Sequence, residues 1–214
     1  INEFQDCNGD CSAPSPLYDG SVGGNALLDD CGICSGGNTG NIPNSTNCII
    51  INEIMNNPSA VDDSEGEWFE LYNNTEEVIN LDGWTVRDNG DDFMDISSNI
   101  QPYSFRVIGA GGDFSLGNGE DEIILSGPLA GTVDSVAYDG GPTFPDEAGI
   151  SMALISPELD NSIGQNWTLS TTLSQTGDLA SPGEPNFVSD IDIPITIISF
   201  DTTAVQATET QSFF

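Results

Sequence analysis

Asp6, Asn8 and Asp10 stand at alternate positions around Cys7, Gly9 and Cys11, so a tight turn here would present three oxygen donors from one side. Asp29 and Asp30 precede Cys31 in a second stretch of similar composition. A hard cation, Ca²⁺ above all, is the partner such a pattern suits, and Gly9 permits the sharp bend. The plainer reading is that these Asp and Asn residues only make turns. Further along, Glu53 lies in one apolar run, Glu70 in the next, and Asp88 follows a third, beside the acidic pair Asp91-Asp92. If those runs are neighbouring strands, their ends could converge on one Ca²⁺; otherwise the three are ordinary solvated edge charges. These eight residues are the candidate metal ligands, and Ca²⁺ is the one cofactor expected.

Catalysis has little to work with. The chain has no His, and its two basic residues, Arg87 and Arg106, leave it without Lys. The commonest general bases and activated nucleophiles are therefore missing. Paired carboxylates alone run glycoside hydrolysis, but 35 Asp and Glu make accidental pairs inevitable. Glu67 and Glu70 flank Trp68 and Phe69, as a sugar site would require, yet core packing explains the aromatics more simply, and Trp84 and Trp167 likewise. The glycine pairs at 23–24, 36–37 and 111–112 lack the Lys and helix of a phosphate loop. No enzyme is expected.

A formal charge of -33 over 214 residues excludes nucleic acid and anionic membrane as direct partners, because phosphate contacts need Lys and Arg. It also strains a compact state through self-repulsion. Adaptation to high salt and clustering of carboxylates around cations both answer that strain, and both stay open. No apolar run approaches the length of a membrane-spanning helix.

The elements that must position these groups fall into three parts. Residues 1–48 hold all five cysteines, Cys7, Cys11, Cys31, Cys34 and Cys48, among Gly, Asn, Asp and Pro. So few apolar residues demand staples. Disulfides fit better than zinc, since no His is present and the surroundings are acidic. Their pairing is open, and the odd cysteine is either free or bonded beyond Ile1. From Ile49 the chain reads as short strands. Ile49 to Met55 is β-branched and apolar. Glu67 to Tyr72 alternates, with Trp68, Glu70 and Tyr72 on one face and Phe69 and Leu71 on the other. Trp84 to Val86 follows the Asp82-Gly83 turn. A polar loop is expected over Asp88 to Asp95, then strands at 96–100 and 105–108 around Pro102. More strands follow at Gly- and Asp-marked intervals, which indicates a β-sandwich. No helical period of useful length occurs.

The pattern IINEI, NP, EWFELYNN, INLDGWTVRD resembles the lamin-tail family, an immunoglobulin-like β-sandwich of nuclear lamins and of many secreted bacterial proteins. Glu122 to Leu125 with Gly131 to Tyr138 is similar to that family's hairpin, Gly149 to Leu154 to a later strand, and Asn166-Trp167 with Ser181-Pro182-Gly183-Glu184-Pro185-Asn186 to its closing motifs. Residues 1–48 resemble the Cys/Asp/Gly-rich, thrombospondin type 3-like calcium repeats of marine bacterial surface proteins. Ile195 to Phe200 resembles the segment before the sorting region of Bacteroidetes proteins exported by type IX secretion. Asp134-Ser135-Val136 and Asp201-Thr202-Thr203 fit the O-glycosylation form of that phylum.

The resulting expectation is an all-β chain in three parts: a calcium-type repeat over 1–48, a lamin-tail sandwich over 49–187, and over 188–214 a linker with the first strand of a further β domain. Its function would be that of a non-catalytic secreted module for adhesion, spacing or assembly, at the cell surface or in an extracellular filament. Its partners would be other surface proteins, copies of itself, or glycans. The alternative is an accessory or carbohydrate-binding module of a larger secreted nuclease, phosphatase or glycan hydrolase.

Overall fold

The computed structural model describes residues 29, 31, 33–35, 48–110, 114–128 and 131–186, and the backbone alone of 4–5, 11–12 and 27–28. Two short strand pairs stand in the N-terminal part. β1 (Phe4–Gln5) pairs with β2 (Cys11–Ser12), and β3 (Leu27–Leu28) with β4 (Cys34–Ser35), both antiparallel.

The sandwich begins at β5 (Ile49–Met55), whose seven residues are all buried. Its β-branched run suits a strand covered on both faces. A one-turn helix, α1 (Asp63–Gly66), leads into β6 (Trp68–Asn73). Then come β7 (Ile79–Asn80), β8 (Trp84–Arg87), β9 (Phe93–Ile96), β10 (Asn99–Ile100) and β11 (Phe105–Gly109). The long hairpin of β12 (Glu120–Gly127) and β13 (Gly131–Asp139) follows, and β14 (Met152–Leu154) and β15 (Trp167–Leu169) complete the set. One sheet has the order β11-β6-β5-β14-β15, the other β13-β12-β8-β9, and β10-β7 forms a small clip.

The core between the sheets takes Ile49, Ile51, Ile54, Phe69 and Leu71 from the first sheet, and Trp84, Val86, Ile123, Leu125 and Val136 from the second. Phe69 and Leu71 do bury while Trp68 and Tyr72 stay half-buried, as the alternation of β6 requires. In β5 the alternation breaks. Ile51 pairs with Leu71 but Glu53 pairs with Glu70, so Asn52 is a bulge residue. One extra residue moves Glu53 to the face opposite Ile51 and lets Ile54 rejoin the core side.

The expected polar loop over Asp88 to Asp95 is shorter than its charge implied. Phe93, Met94 and Ile96 form β9, in register with β8 from Trp84↔Ile96 to Arg87↔Phe93. The turn closes at Asp92, whose N–H donates to the Asp88 carboxylate at 3.1 Å. The strand expected over 96–100 is divided at Ser98, where φ is 97°; Asn99–Ile100 turns away to pair with β7. The strand expected within 188–214 lies outside the described residues.

Cys31 and Cys48 form a disulfide with Cα atoms 5.9 Å apart. Both belong to the buried core, so the N-terminal part is tied directly to the root of β5. Cys34 is also disulfide-bonded.

Candidate functional site

Of the eight candidate ligands, Asp6, Asn8, Asp10 and Asp30 lie outside the described residues. Asp29 is half-buried, and its Oδ1 accepts the N–H groups of Cys31 and Ile33, each at 3.0 Å. That is a turn closed by a side chain.

Glu53 and Glu70 are brought together, but not at a solvated edge. They oppose each other across β5 and β6 and both are fully buried. The segment after β15 folds over them. Glu53 Oε1 accepts the Ser151 hydroxyl at 2.5 Å and the Ser181 N–H at 2.8 Å, and its Oε2 accepts the Ser181 hydroxyl at 3.1 Å. Glu70 Oε1 accepts the Asn52 amide at 2.9 Å, and its Oε2 the Gly183 N–H at 2.5 Å. Asn186 fastens the end of the loop, donating to the carbonyls of Asn52 at 3.0 Å and Leu154 at 2.9 Å. The bulge makes this possible, because only a displaced Glu53 shares a face with Glu70.

All four carboxylate oxygens are thus already engaged by protein donors. Calcium needs six to eight oxygen ligands, and this pair could offer its oxygens only after the loop Ser181–Asn186 had left. Asp88 does not join them. It follows β8 in the other sheet, where it closes the turn to Asp92. Among the described residues no three His, Cys, Asp or Glu side chains are grouped to share an ion. The expected convergence of Glu53, Glu70 and Asp88 on one cation is therefore not seen, and the donor set of Glu53 and Glu70 suits a closed latch instead.

Burial is the largest influence on both carboxyls. It raises Glu53 above its ordinary value, and pushes Glu70 up to about 8 against the lowering effect of the Gly183 and Asn52 hydrogen bonds. The negative charge of neighbouring Glu53 and Glu184 adds to the rise. Folding therefore retains a proton on Glu70 that the unfolded chain releases near pH 4.5. Stability from this group is fully present below 4.5 and is lost as pH climbs towards 8. Glu67, Asp121 and Asp134 are raised too, in each case chiefly by burial. The carboxyls held low, Asp92, Asp139 and Asp160, favour the opposite trend, but they stand in solvent where screening weakens them. A denaturant series from pH 5 to pH 9 should show wild-type stability falling by on the order of 2–3 kcal/mol. Glu70→Gln, which keeps an acceptor for Gly183, should flatten that slope; an unchanged slope would place the titration elsewhere.

A half-buried carboxylate, Asp134, also has a structural role. Asp134 points inward from β13 and its Oδ2 accepts the Ile51 N–H at 2.7 Å, beside the bulge. Asn161 donates to the same oxygen at 2.8 Å and to the Ile51 carbonyl at 3.1 Å, and its own carbonyl accepts the Trp167 indole N–H at 2.8 Å. Ile51 stays in register with Leu71, and these side chains satisfy its N–H and carbonyl.

The molecule is thus an antiparallel β-sandwich of immunoglobulin-like type, with an N-terminal disulfide, a buried carboxylate network at Glu53 and Glu70, and a half-buried one at Asp134. Residues 43–140 match the family model of the Lamin Tail Domain, an immunoglobulin-like module. The sandwich continues past the matched residues, since β14 and β15 belong to the same sheet as β5. No curated protein matches the chain.

Proposed function

We propose that this chain is a non-catalytic module of an extracellular or cell-surface protein, serving spacing, adhesion or assembly. The observation that carries the reading is the Cys31–Cys48 disulfide, buried within the core of the sandwich. Disulfides of this structural kind belong to oxidising compartments. The charge of -33 and the lack of His and Lys agree with a surface exposed to salt and with no catalytic duty. Calcium enters the proposal through Asp6, Asn8, Asp10, Asp29 and Asp30, whose alternation in a Cys-rich stretch suits a hard cation and relieves local repulsion. The test is mass spectrometry of the chain isolated from its source cells with thiols blocked at lysis, alongside protease treatment of intact cells. A fully oxidised Cys31–Cys48 peptide and cleavage from outside are expected. A reduced pair, or protection from external protease, overturns the reading.

A glycan-binding role is the second reading, and one feature favours it. Tyr72 and Phe105 pack with ring centroids 4.9 Å apart. With exposed Tyr103, held at φ 51°, they line a cleft of about 260 Å³ with Pro157 and Pro185. Aromatic faces of this kind stack on sugar rings. Glycan arrays probed with calcium present decide it, and a blank array removes it.

A further inference from the structure

On the opposite side of the closing loop lies a larger cavity of about 390 Å³, between the end of β5, α1, the start of β6 and the segment 172–184. Met55, Val61 and Trp68 line it, and Leu173, which is 71 % exposed, stands at its edge. Three carboxylates, Glu65, Asp178 and Glu184, also line it. Asp178 is occupied, accepting the N–H groups of Ser59 and Ala60. Glu65 and Glu184 are exposed, and among the described residues their side chains have no hydrogen-bond or ion-pair partner. Nor does the Trp68 indole N–H, whereas the Trp167 indole N–H is bonded.

We propose that this cavity receives an arginine side chain from a basic partner protein. The proposal deepens the reading of the chain as a non-catalytic binding module. A guanidinium stacks on an indole face while its five donors engage carboxylates, and its three-carbon stem needs apolar walls. The cavity supplies each of these, and the free indole N–H can donate to a backbone carbonyl of the incoming chain. Neither arginine of this chain supplies that side chain. Its only cations are Arg87 and Arg106. Arg87 donates to the Asp88 carbonyl, and Arg106 on β11 pairs with Leu71, which places it on the face of the sheet opposite Trp68. A second copy, also at -33, is repelled. Charge complementarity therefore selects a positively charged partner of a different kind.

The three tryptophans make the test internally controlled, because Trp84 and Trp167 are buried in the core. The chain, labelled with ¹⁵N, is titrated at constant ionic strength with Nα-acetyl-arginine methylamide and, separately, with its citrulline analogue. A saturable shift of the Trp68 indole resonance alone is expected, with none from citrulline. Glu65→Gln with Glu184→Gln should weaken it roughly three- to tenfold, while unmoved Trp84 and Trp167 signals report an intact fold. Equal shifts of all three indoles, the same response to citrulline, no shift at the solubility limit, or an unchanged affinity in the double variant would each overturn the proposal. None of these results touches the disulfide test above, so the two readings fail separately.

Discussion

Glu53→Ala should destabilise the sandwich by about 4 kcal/mol, the largest loss expected from any one of its charged residues. Its carboxylate is the single acceptor for the Ser181 N–H and also holds two hydroxyls. Truncation leaves that N–H buried without a partner and opens a void beneath the closing loop. Ser151 can turn to the Leu179 carbonyl, 3.3 Å away, so its loss is partial. Removing the charge also takes away one of the lesser influences that raise the Glu70 carboxyl, a small offset to the cost. Glu53→Gln retains an oxygen for Ser181 and should recover more than half of the loss. Chemical denaturation of the three proteins measures both effects. Equal stability of Glu53→Ala and wild type would mean that the loop over 181–186 contributes nothing to the fold.

Asp134→Ala is the second. About 3 kcal/mol should be lost, because the substitution leaves the Ile51 N–H at the bulge and one Asn161 amide donor unsatisfied. The effect should reach further than the carboxylate. Asn161 positions the Trp167 indole, which also packs on Phe144 with ring centroids 6.0 Å apart. Near-ultraviolet circular dichroism should therefore lose the Trp167 contribution in the folded variant. Asp134→Asn should suffer less, since it keeps an acceptor for Ile51. If Asp134→Asn and Asp134→Ala fell equally, the carboxylate's negative charge rather than its hydrogen bonds would be the source of stability.

Much of the scaffold was legible. The period of two in Glu67 to Tyr72 separated Phe69 and Leu71 from Trp68, Glu70 and Tyr72 correctly, because a half-covered strand writes its faces into the sequence. β5 was legible as a strand but not in its faces. Seven residues buried on both sides carry no alternation, so nothing local marks Asn52 as the bulge. β9 was hidden by Asp91, Asp92 and Asp95 around Phe93 and Met94, an edge strand whose exposed positions are Phe93 and Asp95. The candidate ligands show the same limit from the other side. Glu53 and Glu70 read as edge charges because the groups that bury them are remote: Ser181 lies 128 positions from Glu53, and Gly183 lies 113 from Glu70. The run Ser181 to Asn186 resembles a closing motif, yet its donors to buried carboxylates are a tertiary fact. Asp134 was hidden for the same reason, its partner at Ile51 being 83 positions away.

The central claim is that Glu53 and Glu70 form a hydrogen-bonded latch, while calcium acts on the Cys-rich segment. Thermal melting without reductant, in CaCl₂ and in EDTA at matched ionic strength, tests it on three proteins: wild type, Glu70→Gln, and Asp6→Asn with Asp10→Asn. A ligand that binds the folded state raises the midpoint with the logarithm of its concentration over Kd. The account predicts a calcium-dependent rise in wild type, the same rise in Glu70→Gln, and a diminished one in the Asp6 and Asp10 variant. A rise lost in Glu70→Gln would make the buried pair a calcium site and contradict the latch. No rise in wild type would remove calcium and leave the acidic surface as adaptation to salt.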